Sequence, residues 1–315
     1  MVSRFVFGIF FSVEYNQGIR WHKGCAGMKQ ITVSAPAKIN LTLDVLGKRA
    51  DGYHNIESVM HQINLCDQVC VTQIPEGIEV YSNRGELPGG KTNLAYRAAE
   101  AMVSKLGIKT GFRIFLEKNI PLGAGLAGGS TNAAAVIKAI DQLLGLNMHL
   151  RDMLEIGQRT GSDVPFCLLG DTAIARGRGE LLTRVNRRIK LHLLLVNPGF
   201  QVSTARIYNL LDQETITDRP DSVRMAAALA NGDFAGVVSS LNNVMEKVTL
   251  KLHPEVAGIK DNLVQAGAAG ALMSGSGPTV FGLFSDAEAA HRAFQVIKGF
   301  YPYTFCCSSY RANGG

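Results

Sequence analysis

Cysteine, tryptophan and long apolar runs are all scarce in this 315-residue sequence. Its 6 cysteines, Cys25, Cys66, Cys70, Cys167, Cys306 and Cys307, contain no C-x-x-C pair, which speaks against a disulfide scaffold and against a structural zinc site. Reduced thiols serving as small core residues are the expectation, and with them a reducing, cytoplasmic setting. On a strand, Cys306 and Cys307 would point to opposite faces. No stretch approaches the ~18 consecutive apolar residues of a membrane-spanning helix. The early run Phe5–Val13 is short and broken by Gly8 and Ser12. Charged residues make up only 18%, with a net charge of +6, against 46% apolar residues, so the composition is that of a globular chain and not a disordered one.

What is present divides into three parts. Residues 1–27 carry Arg4 ahead of the apolar run but no small-residue cleavage pattern, and Trp21, His22 and Lys23 come after it. They read as an extension, flexible or outside the native protein. The length suits two domains, and the pattern restarts after a basic stretch, Arg176, Arg178, Arg184, Arg187, Arg188 and Lys190. That stretch reads as a solvated connector. The expected domains are therefore 28–188 and 189–315.

From Ile31 to Val45 every odd position is apolar and most even ones are polar, which predicts a strand. Pro36 lacks an N–H and predicts an edge or a break there, while Lys38 and Asn40 share one face. Residues 69–74 and 78–81 read as a further strand pair, and Thr92 as the cap of a helix over 93–106. A strand over 112–117, helices over 132–144 and 150–159 and a strand over 166–175 complete the first half. The second half reads as strands at 191–196, near 272, at 279–284 and near 303–309, with helices at 203–211, 222–230, 234–241, 254–266 and 286–298.

The segment between the strand over 112–117 and the next helix is the most informative: Pro121, Leu122, Gly123, Ala124, Gly125, Leu126, Ala127, Gly128, Gly129, Ser130 and Thr131. Four glycines permit positive φ and close backbone approach, and a helix N-terminus offers unpaired N–H groups and partial positive charge. Such a loop binds phosphate. It matches G-x-G-x-x-G, but no parallel strand with its acidic end comes next, so a dinucleotide fold is not implied. Lysine is also missing from the position a Walker A loop requires. Phosphoryl transfer then needs positive charge and a group to orient the attacking hydroxyl from elsewhere, and Lys38 and Asp163 are the candidates. Tyr53 supplies a flat ring and His54 a donor and an acceptor, which suit a pyrimidine base.

Residues 35–40 (APAKIN), 121–131 (PLGAGLAGGST) and 270–279 (GALMSGSGPT) together resemble the three motifs of the GHMP kinases. Residues 49–54 (RADGYH) and 161–165 (GSDVP) are similar to one branch of that family, which phosphorylates the 2-hydroxyl of a cytidine-diphosphate-linked methylerythritol on the non-mevalonate route to isoprenoid precursors. The resemblance runs from about residue 30 to the end. It implies an α/β (α+β) two-domain fold, with an N-terminal nucleotide-binding domain, a ferredoxin-like C-terminal domain and both substrates in the cleft between them. It implies ATP as co-substrate and Mg²⁺, with no nucleic acid and no membrane as partner. By resemblance Lys38 and Asp163 are the catalytic pair, 121–131 with Asn93, Lys118 and Asn132 bind ATP, and Asn40, Tyr53, His54 and Thr204 bind the substrate. Thr131 keeps the hydroxyl of a serine common at that place. Metal ligands stay open, with Ser130 the nearest candidate.

Two other readings share part of this pattern. A homoserine-type kinase of the same family would need the phosphate loop but not residues 49–54. A non-catalytic RNA-binding protein would use the basic stretch 176–190 and would not need Lys38 together with Asp163.

Overall fold

A computed structural model describes residues 29–310; the expectation for residues 1–27 lies outside them. The first half builds a sheet and a helical layer: β1 (Gln30–Lys48), β2 (His54–Ile74), β3 (Ile78–Ser82), α1 (Leu94–Leu106), β4 (Gly111–Glu117), α2 (Gly128–Leu144), α3 (Leu150–Thr160), α4 (Val164–Leu169), β5 (Thr172–Gly177) and β6 (Leu181–Arg184). The second half continues with β7 (His192–Asn197), α5 (Thr204–Leu211), α6 (Ser222–Asn231), α7 (Phe234–Ser239), β8 (Asn242–Asn243), α8 (Glu246–Leu252), α9 (Pro254–Gln265), β9 (Gly270–Met273), β10 (Val280–Phe284), α10 (Ala287–Ile297) and β11 (Tyr303–Ser308). One sheet runs β3-β4-β2-β1-β8, with β5 also on β2 and β6 on β5; the other is an antiparallel four-stranded sheet, β11-β7-β10-β9. The short β8 comes from the second half yet pairs in parallel with β1 of the first.

Strand β1 departs from its simple alternation in a way that matters for the cleft. Its register against β2 shifts between Pro36 and Lys38 and again between Asn40 and Thr42. Ala35, Leu43 and Val45 pack with the helices α1 to α4, whereas Ala37, Ile39 and Leu41 pack in a second core with Leu193, Leu195, Phe281 and Leu283 of the other sheet. At the first shift the extra residues lie in β2, from Cys66 to Gln62 against Pro36 to Lys38, and at the second the extra residue lies in β1; such irregularities re-aim the side chains beyond them. The middle of the strand is thereby turned over, so Lys38 and Asn40 face the helical layer and their apolar neighbours face the second sheet.

Several elements differ from the sequence reading. At Pro36 the edge alternative holds rather than the break: β1 continues through it with a register shift just after, and among the described residues no strand pairs with its other side there, so the missing N–H costs no ladder bond. Residues 69–74 and 78–81 do not pair with each other; β4 lies between β2 and β3. Asn93, not Thr92, caps α1, its side chain accepting from Ala95 N. Helix α2 starts at Gly128, so the glycine loop ends inside the first helical turn. Residues 166–175 are not one strand. Pro165 opens the short helix α4, and Gly170 and Asp171, both with positive φ, turn the chain into β5. A short apolar run such as this has no periodicity that separates strand from buried helix. Helix α8 and the bridge strand β8 carried no signal, and most of β2 was read only from residue 69 on.

A polar seam ties the two sheets together. His61 is fully buried between Thr172 Oγ1 (2.8 Å) and Ser309 Oγ (2.9 Å). Beside it the buried Arg187 pairs with Asp171 at 2.6 Å and donates to the carbonyls of Ile189 and Tyr310. Arg176 meets Glu57 at 2.7 Å and Arg184 donates to Leu169 O, so much of the basic stretch is engaged within the chain rather than only solvated. Burial, helped by the Arg187 charge and opposed by Asp171, lowers the His61 pKa from 6.5 to about 3. The unfolded chain therefore takes up a proton at His61 that the folded chain refuses between those values. Stability from this site is complete above pH 6.5 and falls with pH down to about 3, by about 1.4 kcal/mol at pH 5.5. Thermal melts from pH 7.5 to 5.5 should show a flatter decline in His61→Asn than in the parent; parallel slopes would refute the assignment.

Candidate active site

A cleft of about 650 Å³ opens between the halves, lined by Lys38, Asn40, Tyr53, His54, the loop 121–130, Asp163, Arg178, Thr204, Tyr208, Gly275 and Ser276, among others. Its floor is the start of α2. Ala127 stands at the N-cap with φ 56° and makes no side-chain cap, and no acidic residue occupies the first turn. The leading N–H groups of a 17-residue helix thus face the cleft without an internal acceptor, the arrangement that draws a phosphate.

Close packing shapes the loop that leads there. Gly125 has φ +75°, and a Cβ on it would lie 2.2 Å from Ser274 O. Ser274 Oγ donates to Gly125 O at 3.0 Å, and Lys38 N donates to Leu126 O at 3.2 Å. The glycine segment 270–279 thereby clasps the phosphate loop from the second half of the chain. Thr131 is buried, and its hydroxyl donates to Pro36 O.

On the facing wall, Lys38 Nζ lies 3.6 Å from Asp163 Oδ2 and donates to Asn40 Oδ1 at 2.6 Å, while Asn40 Nδ2 donates to Ser58 Oγ. Asp163 precedes α4 but makes no side-chain cap, so its carboxylate is left for Lys38 and the cleft. That negative charge, after burial, helps raise Cys167 and Tyr208 to about 12 each. Cys167 is accordingly a protonated, unreactive thiol at neutral pH.

At the far end Tyr53 is 52% exposed, with the Arg178 guanidinium 5.1 Å from its ring centroid. His54 is buried, stacks on Tyr208 at 4.5 Å, and its Nε2 lies 2.8 Å from Asp212. Thr204 Oγ1 is 2.8 Å from Ser276 Oγ at the mouth of α5. Asn93 caps α1 beside a smaller pocket that Val80, Tyr81 and Pro88 also line. Lys118 and Asn132 sit beneath the loop, both buried and bonded to one another. Of the residues singled out in the sequence, Lys38, Asn40, Tyr53, His54, Lys118, Asp163, Thr204 and all of 121–130 but Leu126 line the cleft; Leu126, Thr131 and Asn132 are buried behind it, and Asn93 lines the smaller pocket. Tyr208, Arg178, Asp212 and Asp67 were missed; only Tyr208 left a trace, one helical turn after Thr204 on the same face.

Among the described residues, no cluster of three or more His, Cys, Asp or Glu could hold a metal ion, and no helix is long and apolar enough to cross a membrane.

Two family models match the chain: the GHMP kinases N terminal domain over residues 93–171 and the GHMP kinases C terminal region over residues 225–302. The chain belongs to the GHMP kinase family. Within it, the 4-diphosphocytidyl-2-C-methyl-D-erythritol kinase of Syntrophomonas wolfei is 46% identical over 282 residues, covering 90% of this chain and 99% of that protein. The corresponding kinase of Alkaliphilus oremlandii is 43% identical over 290 residues, covering 91% and 99%. A crystal structure of a 4-(cytidine 5'-diphospho)-2C-methyl-D-erythritol kinase matches with a TM-score of 0.76 at 32% identity, covering 89% of this chain and all of that one. A homoserine kinase from Cytophaga hutchinsonii reaches 0.74 at 23% identity and 92% of this chain, a likeness of fold alone.

Gly125 and Gly129 should respond differently to a methyl group. Gly125→Ala combines a positive φ with a backbone clash and should destabilise by about 1–3 kcal/mol or more. In Gly129→Ala the added carbon would meet only Leu94 at 3.5 Å, so the fold should hold or gain slightly. Denaturant melts of the two variants check this; equal loss would mean that the clasp by 274–277 is not rigid.

Proposed function

We propose that this chain transfers the γ-phosphoryl group of ATP to the 2-hydroxyl of 4-diphosphocytidyl-2-C-methyl-D-erythritol, releasing ADP, in the non-mevalonate route to isoprenoid precursors. One observation carries the reading: an uncapped helix N-terminus, a lysine–carboxylate pair and an exposed aromatic ring beside a buried histidine share a single cleft. The relatives that bear this name are similar over nearly the whole chain, and residues 49–54 suit a pyrimidine where a homoserine-type kinase would need none. Residues 28–188 would supply the nucleotide side and, through Asn40, Tyr53 and His54, much of the substrate side, which 189–315 would complete through Thr204. The free cysteines among the described residues suit a reducing cytoplasm.

In this reading ATP lies with its phosphates over 121–131, near Asn93, and the loop's supports Lys118 and Asn132 act from below. Tyr53 offers its face to the cytosine, His54 one hydrogen bond to its edge, and Asn40 and Thr204 border the polyol. Asp163 orients the 2-hydroxyl and takes its proton late, and Lys38 holds Asp163 while countering the charge on the transferring group. Mg²⁺ fits this site without a protein cage, since Mg²⁺ is commonly carried by substrate phosphates with few protein ligands. Ser130, which lines the cleft, would be its protein neighbour, and the ion would offset β- and γ-phosphate charge.

ADP release measured with the cytidylylated methylerythritol should far exceed that with homoserine, mevalonate or galactose. Equal or greater turnover of homoserine would sink the reading. Asp163→Ala should lower kcat by about 10²–10⁴ with little change in ATP binding. Lys38→Ala should cost a similar factor, and the double variant much less than the product, because residues acting as a unit are non-additive. Multiplicative losses would show that the two do not work together.

A further inference from the structure

The buried group with the densest set of bonds outside the cleft wall is Asp67, on β2, with no exposed surface. Its Oδ1 accepts from the backbone N–H of Asn119 (2.7 Å) and of Ile120 (2.8 Å), where the chain leaves β4 for the phosphate loop. Its Oδ2 accepts from Asn132 Nδ2 at 2.8 Å and from the Lys118 ammonium. Lys118 Nζ donates further to Asn132 Oδ1 at 2.7 Å and to Gly128 O at 3.3 Å, both in the opening turns of α2. One carboxylate therefore holds the segment before the loop directly, and the segment after it through Asn132 and Lys118.

A buried ion pair is costly to desolvate unless its remaining hydrogen-bonding positions are filled. Here both carboxylate oxygens accept two bonds each, and three acceptors surround the three ammonium donors. Burial lowers the Lys118 pKa and the Asp67 charge opposes that effect. Lys118 also lines the cleft, so this ammonium both braces the loop and borders the space beside it. The loop itself is rich in glycine and carries a large ordering entropy cost unless its ends are fixed.

We propose that Asp67 is the positioning residue of the phosphate loop, acting through Asn119, Ile120, Lys118 and Asn132 to hold both ends of 119–132 in the shape that receives ATP. The inference rests on the reading of that loop as the ATP site. It gives Lys118 and Asn132 a share in holding the loop, with Lys118 also lining the cleft beside it.

Amide hydrogen exchange and calorimetric ATP titration of the full chain test it. In the parent protein the Asn119 and Ile120 amides should exchange at least tenfold more slowly than those of Leu122 and Gly123; equal rates would overturn the proposal without any variant. In Asp67→Asn, exchange across 119–130 should speed up at least tenfold and ATP should bind at least tenfold more weakly, with the KM of the polyol within about twofold. The double variant Asp67→Leu with Lys118→Met, which removes both charges, should fold and show the same loosened loop and weakened ATP binding. Unchanged loop exchange, or ATP and polyol affinities falling together, would overturn it. A parent protein that binds no ATP, with the loop still loosened in Asp67→Asn, would refute the kinase reading and leave the loop assignment standing.

Discussion

The register irregularities of β1 on either side of residues 37–41 are the constraint on which the rest of the molecule depends. A regular strand gives each face every second residue, so Lys38 would share a side with Ser34 and Thr42 along the whole length. By turning over residues 37–41, the strand places Ile39 and Leu41 in the core against the second sheet while Lys38 and Asn40 point toward α4 and Asp163. The same five residues thus join the two halves and equip the cleft. Lys38 also donates its backbone N–H to Leu126 O, so the strand that carries the ammonium also borders the phosphate loop.

The cleft is polar because groups that usually serve the backbone are left unspent around it. Asp163 stands where a helix cap would stand and does not cap, and Ala127 cannot. Five other helices have side-chain caps, Asn93, Ser203, Asp221, Asp233 and Asp286 all accepting from their own first turns, while α3, α8 and α9 have none. The supporting groups are the reverse case. Asp67, Lys118 and Asn132 are saturated with one another and with backbone, which makes them a rigid base, and only Lys118 of the three lines the cleft.

Much of this was legible in the chain. The glycine loop, the pair Lys38 and Asn40, the motif at 270–279 and residues 49–54 announce themselves because local patterns, alternation, glycine density and turn chemistry, leave marks at short range. Strand β2 over 54–68 was not legible, since its polar residues, Ser58, His61, Gln62 and Asp67, are buried by partners from distant segments. Nor was α4, whose six apolar residues suit a buried strand as well as a short helix. The pairing of β3 with β4 instead of β2 reflects a choice among neighbours that no hairpin-length pattern encodes.

The sequence by itself determined that the chain is globular, that a glycine-rich loop stands between a strand and a helix, and that its motifs follow GHMP kinase order, because each of these rests on contacts or patterns spanning a few residues. Only the tertiary structure decided that Asp163 meets Lys38 across 125 positions of chain, that Tyr208 backs His54, and that Asp67 lies under the loop. Those are pairings between residues far apart in the chain, selected by burial: a buried charge or ring must find a partner in three dimensions, and sequence spacing does not say which.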